Sequence, residues 1–244
     1  MGEAVTEDRL VDGRVRLLQP VDGYRAAIDP VFLAAMVTAG PGERVLDAGC
    51  GAGAATLCLA ARNTECKIVG LELDPAMFDL AKRNVALNGV EKRVDLIQGN
   101  IAAAPPRLAP GTFHHVMTNP PHLAAGTRPT DPGRAAAHME GEVDLDAWIL
   151  ACITLLRPKG VLAVVHRADR LDDLLASLRQ RAGEIAVLPL WPMKDRPAKR
   201  VLVRARKGVG GPTSLLPGLV LHEADGRYTE AAEAVLRGGQ GLEF

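Results

Sequence analysis

The stretch Arg44-Val45-Leu46-Asp47-Ala48-Gly49-Cys50-Gly51-Ala52-Gly53-Ala54 decides the fold. It reads as a short buried β run ending on an acid, a turn with alternate glycines, and an apolar helix over 54–61. Glycine tolerates positive φ and lets main-chain N–H groups approach a ligand at a helix N-terminus. Downstream the same alternation repeats. Further β runs are predicted at 67–71, 94–97, 113–117, 161–165 and 185–190, with helices at 148–156 and 171–181. Asp74-Pro75 supplies an N-cap and first-turn proline for another helix, and Asn88-Gly89 its stop. Strands separated by helices imply right-handed crossovers and a doubly wound, mainly parallel α/β sheet. After Leu190 the spacing changes. Residues 191–197 are too few for a crossover helix, so 200–205 is expected to return as an antiparallel hairpin strand.

The rest of the chain is divided as an N-terminal cover (1–40), the alternating domain (41–207) and a C-terminal appendage (208–244) joined through Gly208-Val209-Gly210-Gly211-Pro212. Hydrophobic residues make up 48% and charged residues 24%, the balance of a globular protein with a full core. Lys+Arg and Asp+Glu both total 29, so net charge gives no sign of a polyanionic partner. No apolar run has the length of a membrane span, and the acidic start Met1-Gly2-Glu3-Ala4-Val5-Thr6-Glu7-Asp8 lacks a signal core. The cysteines (Cys50, Cys58, Cys66, Cys152) form no C-x-x-C pair and read as reduced thiols of a cytoplasmic protein. The histidines have no ligand spacing, and no metal is expected.

Gly49, Gly51 and Gly53 suit two kinds of nucleotide cofactor. Gly49-x-Gly51-x-x-Ala54 satisfies the dinucleotide pattern, with Glu72 at the spacing of a ribose-binding acid. Asp47, directly before the turn, disfavours a pyrophosphate but favours the sulfonium and α-ammonium cations of S-adenosylmethionine. The methyl-donor reading is preferred. Glu72 then accepts from the ribose hydroxyls, Asp74 caps a helix, and Asn100, in Gln98-Gly99-Asn100-Ile101, is positioned for the adenine amino group or for a turn.

The second motif is Thr118-Asn119-Pro120-Pro121-His122, at the end of the run 113–117. In open α/β sheets that edge faces the ligand crevice. An exocyclic amine on a base is a poor nucleophile because its lone pair is delocalised into the ring. Catalysis therefore needs acceptors that hold both N–H groups and favour pyramidalisation. Asn119 offers a side-chain carbonyl, and Pro120 a main-chain carbonyl on a stiff turn. By itself Asn-Pro-Pro also ends strands as simple punctuation.

Asp47 to Gly53, Glu72 and Asn119 to Pro121 resemble the class I S-adenosylmethionine-dependent amino-methyltransferases. The likeness is nearest to the bacterial tRNA N6-adenine methyltransferases acting beside the anticodon of a valine tRNA. It extends to Gly23-Tyr24-Arg25-x-x-x-Asp29, Arg167-x-x-Arg170-Leu171, Arg200-Val201-Leu202-Val203 and Gly226-Arg227-Tyr228-Thr229. The resemblance implies a Rossmann-like seven-stranded sheet with an antiparallel last strand, S-adenosylmethionine as cofactor, and transfer to N6 of an adenine in a tRNA anticodon loop. It also makes Asn119, Pro120, Pro121 and His122 the catalytic segment, with Asn119 touching the cofactor as well. Two positions depart from that family, which usually has an aromatic residue at His122, stacking on the base, and Asp at Asn100.

An RNA partner draws attention to Lys194, Arg196, Lys199, Arg200, Arg204, Arg206 and Lys207, set against the single acid Asp195. Tyr24, Arg25, Arg128, Arg134 and Trp191 are further candidate contacts, and His138 and Glu140 candidate pocket residues. Alternation of Val201, Val203 and Ala205 with Leu202, Arg204 and Arg206 is also what a half-exposed strand looks like. Other functions compatible with the residues are methylation of a protein glutamine amide or another RNA base, or a catalytically weak RNA-interaction protein that binds the cofactor.

Overall fold

The computed structural model describes residues 4–21, 25–121 and 144–244. The chain opens with an antiparallel hairpin of β1 (Val5–Leu10) and β2 (Val15–Pro20), followed by α1 (Asp29–Ala35). The alternating region then gives β3 (Arg44–Ala48), α2 (Ala54–Arg62), β4 (Lys67–Glu72), α3 (Pro75–Leu87), β5 (Val94–Gln98) and β6 (Phe113–Thr118). After the segment 122–143 come α4 (Leu145–Leu155), β7 (Leu156–Arg167), α5 (Leu171–Leu178), β8 (Ala182–Met193) and β9 (Arg200–Lys207). The chain ends through β10 (Ser214–Leu215), β11 (Leu219–His222) and α6 (Glu230–Leu236).

The sheet runs β5-β4-β3-β6-β7-β9-β8, with β9 antiparallel to both neighbours and the other adjacent pairs parallel. This is the expected seven-stranded core, with the hairpin after Leu190 as anticipated. Two short strands, β10 and β11, pair parallel to β8 and extend the sheet to nine. Their sequences, two and four residues long, carry too little periodicity to announce themselves.

Apolar clusters pack on both faces. One joins α1, α2, α3 and the N-terminal hairpin around Phe32, Leu17, Leu57 and Leu59; the other sets α4 and α5 on Phe113, Leu46 and Ile149. β7 differs from expectation. It starts at Leu156, and Arg157-Pro158-Lys159-Gly160 bulges between the Phe113↔Leu156 and His115↔Val161 pairs instead of ending the element. Among the described residues, no helix is long and apolar enough to cross a membrane.

The hairpin is fastened to α3 by two asparagines that imitate a neighbouring strand. Asn84 accepts from Leu18 N–H at 2.7 Å and donates to Leu18 O at 2.9 Å. One turn on, Asn88 does the same for Arg16 N–H and O at 2.9 and 2.7 Å. Asn84 also donates to Ala52 O at 2.9 Å, so the N-terminal hairpin reaches the glycine turn through one side chain.

Candidate active site

Strand order reverses about β3, since β4 and β5 lie on one side and β6 and β7 on the other. The crevice at such a switch point is where open α/β sheets hold ligands. Register brings both sequence motifs to it. Ala48 pairs with Leu71 of β4 and with Thr118 of β6, so Gly49, Glu72 and Asn119 leave the sheet side by side at its carboxyl edge.

Gly49, Gly51 and Gly53 have φ of 75°, 55° and 89°, conformations costly for any side chain bearing a Cβ. The main-chain N–H groups of Gly49 and Cys50 donate to Leu71 O, both at 2.9 Å. Glu72 braces the turn directly. Its Oε2 accepts from Gly51 N–H at 2.7 Å and its Oε1 from Asp74 N–H at 2.8 Å. A carboxylate offers about four lone-pair sites, so each oxygen keeps capacity for a ligand hydroxyl. Asp74 caps α3, accepting from Ala76 N–H and Met77 N–H at 2.8 and 3.0 Å.

Asp47 is buried and accepts from the Thr56 hydroxyl at 2.7 Å. That bond ties the end of β3 to the first turn of α2. Burial pushes the Asp47 carboxyl up to about 7; hydrogen bonding from Thr56 opposes this and the Glu72 charge adds to it. The same cause acts on the neighbouring thiols: burial raises Cys50, and lifts Cys58 to about 12. Asn100 caps a 3₁₀ turn, Ile101–Ala103, with its Oδ1 accepting from Ala102 N–H at 2.9 Å. Its turn role is thus met beside β5.

Asn119 follows β6 directly and its Oδ1 is buried. Pro120 is buried and Pro121 exposed. His122, with Arg128, Arg134, His138 and Glu140, lies outside the described residues, as does Tyr24. Two neighbours escaped the sequence reading as site residues. The Trp148 indole N–H donates to Thr118 Oγ at 2.9 Å, and the Thr118 hydroxyl donates to Ala48 O at 2.8 Å. Trp148 is one of two tryptophans and falls where α4 begins, which gave it only a helical reading.

Most of the basic stretch serves the fold. Arg200 pairs with Asp29 at 2.8 Å, and Arg206 with Glu184 at 2.7 Å. Lys207 donates to Leu156 O at 2.6 Å, and Arg204 to Phe244 O at 2.9 Å. Arg25 likewise holds Asp8, at 2.5 Å. Lys194, Arg196 and Lys199 are exposed on the turn between β8 and β9. Because β8 is parallel to β7, that turn projects beyond the same sheet edge as Asn119; Val187 lies level with Thr118 across the sheet, so β8 runs roughly 20 Å further before the turn begins. Among the described residues, no group of His, Cys, Asp and Glu could hold a metal ion.

Residues 39–201 match the family model described as a methyltransferase domain, and that match sets the class. The chain is 31% identical over 216 residues to the tRNA1(Val) (adenine(37)-N6)-methyltransferase of Aeromonas hydrophila, covering 86% of this chain and 89% of that one. Against the Porphyromonas gingivalis protein of the same name it is 28% identical over 216 residues, with 84% of each chain covered. The chain belongs to the tRNA1(Val) (adenine(37)-N6)-methyltransferase family. Solved structures agree on the fold. A predicted O-methyltransferase from Agrobacterium tumefaciens superposes with a TM-score of 0.73 at 23% identity, covering 88% of this chain and 98% of that one. TYW2 of M. jannaschii, solved with AdoMet, gives 0.57 at 16%, covering 84% and 86%.

Proposed function

We propose that the chain methylates N6 of an adenine in tRNA with S-adenosylmethionine as donor. The observation that carries the reading is the register setting Asn119-Pro120-Pro121 beside the glycine turn, in a chain whose relatives bear that activity in their name. The residues suit the cofactor. The turn holds three glycines at positive φ beside the sheet edge, and Glu72 is already oriented by two main-chain bonds. When bound, S-adenosylmethionine supplies a methyl carbon whose bond to sulfur breaks, its electron pair staying on sulfur, as the N6 lone pair bonds to that carbon.

The chain's own part is positioning and charge. Glu72 takes the ribose hydroxyls, Asn100 the adenine amino group, and Asp47 lies behind the turn as an acid that a nearby cation would ionise. Asn119 Oδ1 and Pro120 O accept from the two N6 hydrogens, directing the lone pair at the methyl group. The surplus proton leaves to solvent after attack, so no strong base is required. The target must be unstacked, which a loop permits more cheaply than a duplex. His122 would stack on it. For the RNA backbone the better candidates are Lys194, Arg196 and Lys199, since Arg25 and Arg200 already hold carboxylates. A cytoplasmic location goes with a tRNA substrate.

The test is tritium transfer from labelled cofactor to deproteinised tRNA that lacks the modification, with nucleoside analysis. Label in N6-methyladenosine is expected, and nuclease pretreatment should abolish it. Label elsewhere, or none, would overturn the assignment. Full methylation by Asn119→Ala would remove the clamp from the mechanism.

A further inference from the structure

The half-buried Trp148 closes the gap between the two motifs. Its indole N–H donates to Thr118 Oγ at 2.9 Å, and that hydroxyl donates in turn to Ala48 O at 2.8 Å. The outer ring of the same indole covers Gly49, where an added Cβ would lie 3.0 Å from Cζ2 and Cη2. One side chain therefore touches the residue before Asn119 and the first residue of the glycine turn. The Thr118 hydroxyl has a single hydrogen, committed to Ala48, so it meets the indole as an acceptor. Indole donates only, and so the chain Trp148→Thr118→Ala48 has one possible sense.

We propose that Trp148 is a positioning residue for methyl transfer, acting through Thr118 to fix Asn119 against the glycine turn. This rests on the reading of Asn119 as the amine acceptor. β3 and β6 are already joined by their ladder up to Ala48 and Thr118, but beyond those residues both chains leave the sheet. The indole and hydroxyl carry the alignment over that last step. The ring also walls the crevice at Gly49, so its bulk and its N–H have separable effects.

The experiment compares Trp148→Phe, which keeps a ring but loses the N–H, with Thr118→Val, Thr118→Ser and the double variant Trp148→Phe/Thr118→Val. Small misplacement of a reacting pair costs up to about a hundredfold, so Trp148→Phe and Thr118→Val should each lower kcat by about tenfold. KM for the cofactor should stay within about twofold, because Glu72 and the glycine turn keep their own bonds. Thr118→Ser should restore the rate, and the double variant should be no slower than Thr118→Val, because both changes break one chain. A second readout uses ¹⁵N-asparagine labelling. The Asn119 side-chain amide resonances should move in Trp148→Phe and Thr118→Val and return in Thr118→Ser. Unchanged kcat in both single variants, additive losses, or unmoved Asn119 resonances would overturn the proposal. If the wild-type protein labels no tRNA, the substrate reading fails instead, and the Asn119 resonances still decide whether Trp148 and Thr118 hold that residue.

Discussion

Replacing Asn84 with alanine tests how the N-terminal hairpin is held to the rest of the molecule. The side chain is fully buried and makes three hydrogen bonds, to Leu18 N, Leu18 O and Ala52 O. The bond to Ala52 is buried, and stranding that carbonyl costs about 2 kcal/mol. The two Leu18 groups are only partly buried, so water recovers some of their loss, leaving about 1 kcal/mol each. The sum is about 4 kcal/mol, which for a chain of this size lowers Tm by roughly 8–16 °C. Urea unfolding followed by circular dichroism and by tryptophan fluorescence would supply the free energy and check that the transition is two-state. Asn84→Asp should be worse still at neutral pH, because its oxygens would face the carbonyls of Leu18 and Ala52. Asn88→Ala, which removes the half-exposed bonds to Arg16, should cost less than half as much. A loss below about 1 kcal/mol for Asn84→Ala would mean that water replaces the side chain freely, and the strand-mimicking clasp would carry no stability.

Three further outcomes follow from the site. The folded Asp47 carboxyl sits at about 7 against an ordinary 3.8, so between those pH values the unfolded chain releases a proton that the folded one keeps. Its stabilising contribution is complete below pH 3.8, declines as pH rises through 7 and then levels; Asp47→Asn should remove that decline, read as the difference in urea midpoint between variant and wild type from pH 5 to pH 8. Identical pH profiles would show that the carboxyl is not displaced. Gly49→Ala places a Cβ at a φ of 75° and 3.0 Å from Trp148, so it should cost about 1–2 kcal/mol in strain and weaken cofactor binding in calorimetry, with unchanged binding refuting the cradle. Reversing Lys194, Arg196 and Lys199 to glutamate should raise KM for tRNA and flatten its salt dependence with cofactor affinity unchanged, whereas an unaltered KM would take the β8–β9 turn out of the RNA interface.

What the sequence made legible and what it concealed divide along a physical line. The alternation from Arg44 onward names the sheet because each crossover must pack back on the strands with one hand, leaving a single economical topology for that order of elements. Gly49, Gly51 and Gly53 were readable because a strand-to-helix turn of positive φ admits almost nothing else. The placement of Asn119 was readable because it follows a strand whose end must lie at the crevice. Trp148, Thr56 and Asn84 were not readable, since each acts through a partner 30, 9 or 66 residues distant and none sits in a local pattern. The basic stretch shows the converse case. Seven cations close together in sequence suggest one surface, yet the pleat and the strand ends send Arg200, Arg204, Arg206 and Lys207 to four different structural partners. Only the turn residues escape that dispersal, because a turn has no ladder to satisfy and no second face to cover. Charge density in a sequence therefore indicates a partner surface where the chain reverses. Along a strand the same density first has to be discounted for the carboxylates, carbonyls and rings it meets inside the fold.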